Sequence, residues 1–377
     1  MGPLSKIRVI EMAAIGPGPF CGRLLGDLGA DVIRVDRLSG RAGDLPEPLR
    51  AISGRSRRSV AVDIKHPAGR EVVMRLVESA DVLIEGYRPG VMERLGLGPG
   101  ACHTRNVRLV YGRMTGWGQD GPMASMAGHD INYLGLAGAL GAIGTRDRPL
   151  PPLNLVADYG GGALYLAFGV LAALVERQVS GRGQVVDAAM VDGVASLMAP
   201  IYQLRAAGFW SDDRDANLLD GGAPFYRAYE TSDGGWMAVG ALEPQFYAEL
   251  IEGLGLADAE LPAQLDAAGW PELAERFAQV FASRSREEWT DVFAGSDACV
   301  TPVLGMAEAP DFEHNRSRGT FVGGSPPQPG PAPRFDRTPA SDPSAPPEPG
   351  SSTGELLVEL GYSTERIATL RDLGVIP

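Results

Sequence analysis

The feature that most constrains the fold is an alternation over the first 113 residues, in which short apolar runs are separated by turns and helical stretches. Lys6–Ala13 (KIRVIEMA) reads as a strand, the loop IGPGP follows, and Phe20–Leu28 reads as a helix. Further strands are predicted at Asp31–Val35, Ser59–Asp63, Asp81–Glu85 and Val107–Arg113, with a helix at Gly69–Ser79. Such alternation specifies an α/β class, with a Rossmann-like large domain built on a parallel sheet, because parallel neighbours need a crossover between them.

The middle of the chain is helix-rich, with candidates at His129–Leu140, Tyr159–Gln178 and Asp192–Ala207. Its longest apolar stretch, Gly160–Val175, is too short and glycine-rich to span a bilayer and reads as a buried helix. Near residue 220 the texture changes. Phe225–Thr231 and Trp236–Ala241 flank Asp233-Gly234-Gly235, a hairpin signal, and helices are predicted at Glu243–Gly253, Pro271–Ala282 and Arg286–Phe293. The expected division is a large domain at 1–210, a smaller α+β domain at 215–312, a linker at 313–350 and a helical tail at 351–377. Ten prolines between Gly323 and Gly350 make the linker extended, and the apolar positions of Thr353–Leu373 suit a tail that docks back on the large domain.

A net charge of −13 disfavours nucleic acid, whose phosphates need a basic face. The charge is uneven: residues 1–113 hold 18 Lys and Arg against 12 Asp and Glu, leaving −19 on the remainder. A basic N-terminal third suits a phosphorylated ligand, although a solvated surface can show the same asymmetry by chance. Three scattered cysteines (Cys21, Cys102, Cys299) point to a reducing setting without disulfides, and neither they nor the four histidines have metal-ligand spacing. No signal-peptide pattern opens the chain and its last residues, Val-Ile-Pro, are not a peroxisomal address. The reading is a cytoplasmic protein with no metal and no membrane insertion.

Gly16-Pro17-Gly18 with Gly22, followed by Asp36, imitates a dinucleotide fingerprint. Pro17 and Pro19 remove two of the backbone donors that a pyrophosphate needs, and the third glycine is one residue late. A nicotinamide dehydrogenase is therefore disfavoured. With only Lys6 and Lys65 as lysines, no P-loop exists, and no G-x-S-x-G elbow appears.

Two stretches carry the chemistry. In GRMTGWGQDGPMASMAGHDINY (112–133) and PLPPLNLVADYGGG (149–162), His129 and Asp158 each precede an apolar helical run. Asp158 there reads equally as an N-cap, and a lone His as a structural group. Together they suggest more. A helix start offers unsatisfied amides and a positive dipole end to a developing enolate, and Gly160–Gly162 allow a substrate close to the backbone. An imidazole and a carboxyl group on opposite sides of one carbon form a two-base device that removes a proton from one face and returns one to the other.

The blocks IEGYRPGVMERLGLGP, RMTGWGQDGP, AGHDINY, PLNLVADYGGG, GRGQVVDAAMVDG and GGAPFYRAYETSDGGWMAVGALEPQFY resemble the α-methylacyl-CoA racemase branch of the family III CoA-transferase superfamily, from about Leu4 to Val375. The resemblance implies an interlocked homodimer and a racemase acting on 2-methylacyl-CoA thioesters, with no cofactor beyond the substrate's coenzyme A moiety. It assigns His129 as the base facing the S substrate and Asp158 as the base facing the R substrate. Glu243 would support His129 across the subunit boundary, although alone it reads as a first-turn acid; Asp130 would support the pair or simply start a helix. The Asp158 N–H would hold the thioester oxygen. For coenzyme A it points to Arg37, to Val62, Asp63, Ile64 and Lys65, to Gly86, Tyr87 and Arg88, to Arg94, and to Gly128, His129, Asp130, Ile131, Asn132 and Tyr133. Arg55, Arg57 and Arg58 read as a solvated basic loop and receive no individual role. The rival within the superfamily is a CoA-transferase using Asp158 as a covalent nucleophile. Histidine at 129 favours the racemase, because proton exchange on both faces needs a second group. A non-catalytic CoA-sensing module would need neither His129 nor Asp158.

Overall fold

The computed structural model describes residues 2–38, 54–323 and 327–377. The chain divides into two compact units, one of 1–137, 153–197 and 322–377, the other of 138–152 and 198–321.

The first unit is built on β1 (Arg8–Met12), β2 (Asp31–Asp36), β3 (Arg58–Ala61), β4 (Val82–Glu85), β5 (Val110–Thr115) and β6 (Val185–Ala189), with α1 (Pro17–Asp27) and α2 (Pro67–Glu78) among its crossovers. All neighbours are parallel, in the order β3–β2–β1–β4–β5–β6. Val9, Ile10, Ile33, Val60, Leu83 and Val110 are fully buried, as expected of parallel strands covered on both faces. The strand order reverses between β1 and β4. In such sheets the crevice beyond the strands' carboxyl ends at this point is where ligands bind. The sequence pattern misses β6 because it is an edge strand whose Val185 and Asp187 are exposed, so no apolar run marks it. It also places the start of α1 late. Pro17 takes the first helical position, where a missing N–H costs nothing.

After β5 come α3 (Asp130–Leu136), a π-helix (Leu155–Leu164), α4 (Tyr165–Ser180) and α5 (Met190–Leu197). The π-helix runs into α4 as one 26-residue helix, long and apolar enough to cross a bilayer by length and composition alone. Its Arg177 is buried and donates to Asp81 at 2.8 Å, and α4 packs on β5 and β6, so the helix belongs to the layer over the sheet. The reading of a buried helix needs correction on its other face, where Leu164, Phe168, Val175 and Val179 are 52–91% exposed.

The tail forms two helices, α10 (Thr353–Glu359) and α11 (Thr364–Asp372), parted at Gly361 with φ +80°. Leu356, Leu357, Ile367, Leu370 and Val375 are buried among Val60, Val62, Val72 and Leu76. Burying each such side chain is worth roughly 1.5–3 kcal/mol, so the tail is part of the first unit's core.

The second unit contains α6 (Ala199–Ala206), β7 (Tyr226–Glu230), β8 (Trp236–Gly240), α7 (Pro244–Gly253), α8 (Trp270–Phe281), α9 (Arg286–Val292) and β9 (Val300–Pro302). The antiparallel sheet β9–β8–β7 includes the expected hairpin, its turn passing through Gly234 at φ +77°. Phe225, Tyr229, Phe277, Phe281, Trp289 and Phe293 form an aromatic core over it.

The seams differ from a continuous split at 1–210 and 215–312. Residues 138–152 belong to the second unit, where Arg214 donates to the carbonyls of Gly141 and Thr145 at 3.1 and 2.9 Å, and α6 goes with them. Residues 313–321, read as linker, hold a short helix (Glu313–Arg318) and also belong there.

Candidate active site

The carboxyl ends of β1 and β4 lie side by side. Beyond β4, the Tyr87 N–H donates to Glu85 Oε2 at 2.7 Å and its hydroxyl to the Ala13 carbonyl at 3.3 Å, tying the two strand ends together. Burial pushes the Tyr87 hydroxyl up, opposed by the Arg37 guanidinium at the end of β2. Arg37, Gly86, Arg88 and Arg94 are exposed around these strand ends and the short helix Val91–Arg94. Of the segment after β3, Lys65 is exposed, whereas Val62 is buried and Ile64 packs on the core. The Asp63 N–H is taken by the Val375 carbonyl at 2.9 Å.

His129 precedes α3 in an extended conformation, exposed, with its N–H donated to Asn132 Oδ1 at 3.0 Å. Asp130 turns inward and is buried. Its Oδ1 accepts the N–H groups of Ala157 and Asp158 at 2.9 and 2.7 Å, so the first residue of α3 is fastened to the first turn of the π-helix. The Asp158 N–H, expected to hold the thioester oxygen, is donated to Asp130 in this structure. The pairing follows from position, since a helix's first amides lack intrahelical partners and a carboxylate facing them satisfies two at once.

Asp158 is not the N-cap that its sequence position suggests. Asn154 holds that position, and Asp158 lies inside the π-helical turn. Such helices are rare and concentrate at functional sites. The Asp158 carboxyl is half-buried, accepts from Asn154 Nδ2 at 3.2 Å, and faces the turn before α1, where a Cβ on Gly16 would stand 3.6 Å from Oδ2. Phe20 of α1 stacks on Tyr159 at 4.4 Å. Burial pushes the carboxyl up and the charge of Asp130 adds to this, while the Asn154 hydrogen bond and the nearby His129 oppose it.

The imidazole of His129 and the carboxyl of Asp158 therefore share one neighbourhood, with Asp130 bridging their helices. Tyr133 comes there as structure. It is buried, edge-on to Trp117 at 4.6 Å, and neither Gly116 nor Gly128 leaves room for a side chain beside its ring. Burial and the two carboxylates push its hydroxyl up to about 12. Ile131 and Asn132 are exposed on α3. Two of the three glycines also have a different use from the expected one. A Cβ on Gly161 would strike Val194, and one on Gly162 would strike Met190, so these glycines let the π-helix close on α5. Glu243 lies in the second unit, exposed, at the N-cap position of α7.

Arg55, Arg57 and Arg58 are not a solvated loop. Arg55 pairs with Asp27 at 2.6 Å, Arg57 with Glu11 at 2.8 Å, and Arg58 with Asp31 and Glu359 at 2.8 and 2.6 Å, the first two pairs deeply buried. Part of the basic excess in the N-terminal third is thus structural. Asn154 drew no functional reading from the sequence, and Gly16 only the dinucleotide pattern that Pro17 and Pro19 disfavour. Asn154 stands inside the PLNLVADYGGG block, and a glycine before a proline-started helix was the available sign of a tight turn facing the site.

The chain matches the model of CoA-transferase family III over residues 4–353. It is 49% identical to a mouse protein named alpha-methylacyl-CoA racemase, across 97% of this chain and 96% of that one. The human protein of the same name is 46% identical across 99% and 97%. A solved CaiB/BaiF family protein from Brucella suis superposes with a TM-score of 0.79 at 26% identity, covering 95% of this chain and 99% of that one.

Proposed function

The chain belongs to CoA-transferase family III, and from that premise we propose that it is an isomerase, a racemase interconverting (R)- and (S)-2-methylacyl-CoA thioesters. The observation that carries this reading is that an imidazole and a carboxyl group, His129 and Asp158, lie within electrostatic reach of each other on two segments joined by Asp130. A C2 hydrogen beside a thioester is acidic because the electron pair left behind spreads onto the carbonyl oxygen. With the R substrate, Asp158 takes the C2 proton to give an enolate, and protonated His129 delivers a proton to the opposite face. With the S substrate the roles exchange. One C–H bond breaks and one forms, so no cofactor is needed beyond the coenzyme A moiety already on the substrate. A carboxyl pushed up by its surroundings suits this double duty, since it must also act as an acid. Arg37, Lys65, Arg88 and Arg94, exposed in the first unit, suit the phosphates of coenzyme A.

The active form we propose is an interlocked homodimer. The exposed apolar stripe Leu164, Phe168, Val175 and Val179 along the joined π-helix and α4 supports burial against a second copy, and Glu243 of one chain would then orient His129 of the other. Glu243→Gln is expected to lower kcat on the order of tenfold, the worth of one hydrogen bond, and less than the loss of either proton-transfer group. Steady-state assay on both enantiomers checks this. Unpaired cysteines support a reducing cytoplasmic location.

Incubating one enantiomer of 2-methylacyl-CoA with the protein in heavy water tests the reaction. Deuterium at C2 with loss of optical purity is expected. Retained hydrogen at C2, with coenzyme A passing to an added carboxylate, would make the protein a transferase acting through Asp158.

A further inference from the structure

Resting on the racemase reading, we propose that Asp130 and Asn154 are positioning residues that hold Asp158 from two sides, Asp130 through its backbone and Asn154 through its carboxyl, and so set the pH at which it acts as a base. Asp130 is 8% exposed. One of its oxygens bridges the amides of Ala157 and Asp158, while Oδ2 is buried without a hydrogen-bond partner among the described residues. A carboxylate half-satisfied in this way is costly to bury, and an apolar residue would avoid that cost if nothing but packing were required. Asn154, four residues before Asp158 and exposed, donates to Asp158 Oδ2 at 3.2 Å.

The two contacts act in opposite senses. A hydrogen bond to the ionised carboxylate favours ionisation, and a second negative charge close by disfavours it. Among the described residues the charged groups acting on Asp158 are Asp130 and His129, from the start of α3, and the Tyr133 hydroxyl on α3 is in turn raised by Asp158. From α1 it meets the Gly16 turn. The π-helix packs on α5 through Met190, Gly193 and Val194, and Asp192 of α5 acts on Asp187 instead.

The test is the pH dependence of kcat/KM for the R substrate, the direction in which Asp158 is the base, measured as C2 deuterium incorporation for the parent, Asp130→Asn and Asn154→Ala. Asp130→Asn keeps an oxygen for both amides but removes the charge, so the acid limb should move to lower pH. Asn154→Ala removes the donor, so the limb should move to higher pH. A purely structural role would lower the rate at every pH and leave the limb in place. Asn154 is exposed, so its variant folds and decides its half of the proposal by itself. For Asp130, thermal melting confirms that the near-isosteric variant is folded. Limbs that stay fixed, or that move in the same direction, would overturn the proposal. A parent enzyme that exchanges no C2 hydrogen would overturn the racemase reading instead, and the two failures are distinct.

Discussion

Asp158→Ala and His129→Ala are each expected to lower interconversion of the two enantiomers by about 10²–10⁴-fold, the usual contribution of one positioned acid or base. Most of the loss should fall on kcat, because the exposed arginines and Lys65 proposed to hold coenzyme A lie on other elements. Both losses should be of similar size, since each turnover uses one group as acid and the other as base. A chiral assay of product against time measures them. Parental racemisation by either variant would remove that residue from the mechanism.

Arg57→Ala is expected to cost about 3–5 kcal/mol of folding stability, the scale seen when one partner of a buried ion pair is removed. Glu11 and Arg57 are almost wholly inaccessible, with Arg57 donating to Glu11 Oε2 through Nε and Nη2 at 2.9 and 2.8 Å and also to the Pro19 carbonyl. The pair fills the space left by Gly22, where a Cβ would collide with both side chains. Burial already pushes the Glu11 carboxyl up against the opposing pull of Arg57, and loss of the guanidinium would push it further. A carboxyl whose folded value lies above its unfolded value contributes stability at low pH that is lost as pH rises through the folded value. The deficit of Arg57→Ala should therefore be largest near neutrality and shrink on acidification. Denaturant unfolding at several pH values checks both size and sign, and adding Glu11→Leu to Arg57→Met should recover much of the loss.

What the sequence disclosed follows from the range over which each signal acts. The central strands are legible because Val9-Ile10, Val32-Ile33 and Val82–Ile84 are unbroken apolar runs, as strands covered on both faces must be. Strand β6 is not, because its outer residues face solvent. The π-helix has no signature of its own, since Gly160–Gly162 read as room for a substrate beside the backbone, and only the folded chain shows Gly161 and Gly162 closing on α5. The ion pairs of Arg55 and Arg57 join residues 28 and 46 positions apart, beyond any local pattern. The site was legible in part. His129 and Asp158 stand out as titratable groups ahead of apolar helices, and the family resemblance gave them roles. The capture of the Asp158 amide by Asp130, the Asn154 hydrogen bond and the approach of the Gly16 turn depend on segments that only the folded chain brings together.

In the proposed mechanism His129 and Asp158 serve opposite faces of one carbon, and face-selective exchange in heavy water tests this most directly. Without Asp158, the imidazole should still wash deuterium into the S enantiomer and leave the R enantiomer untouched, with neither racemising. Without His129, the carboxyl should label the R enantiomer alone. Equal labelling of both enantiomers by either variant would contradict the assignment of one base to each face.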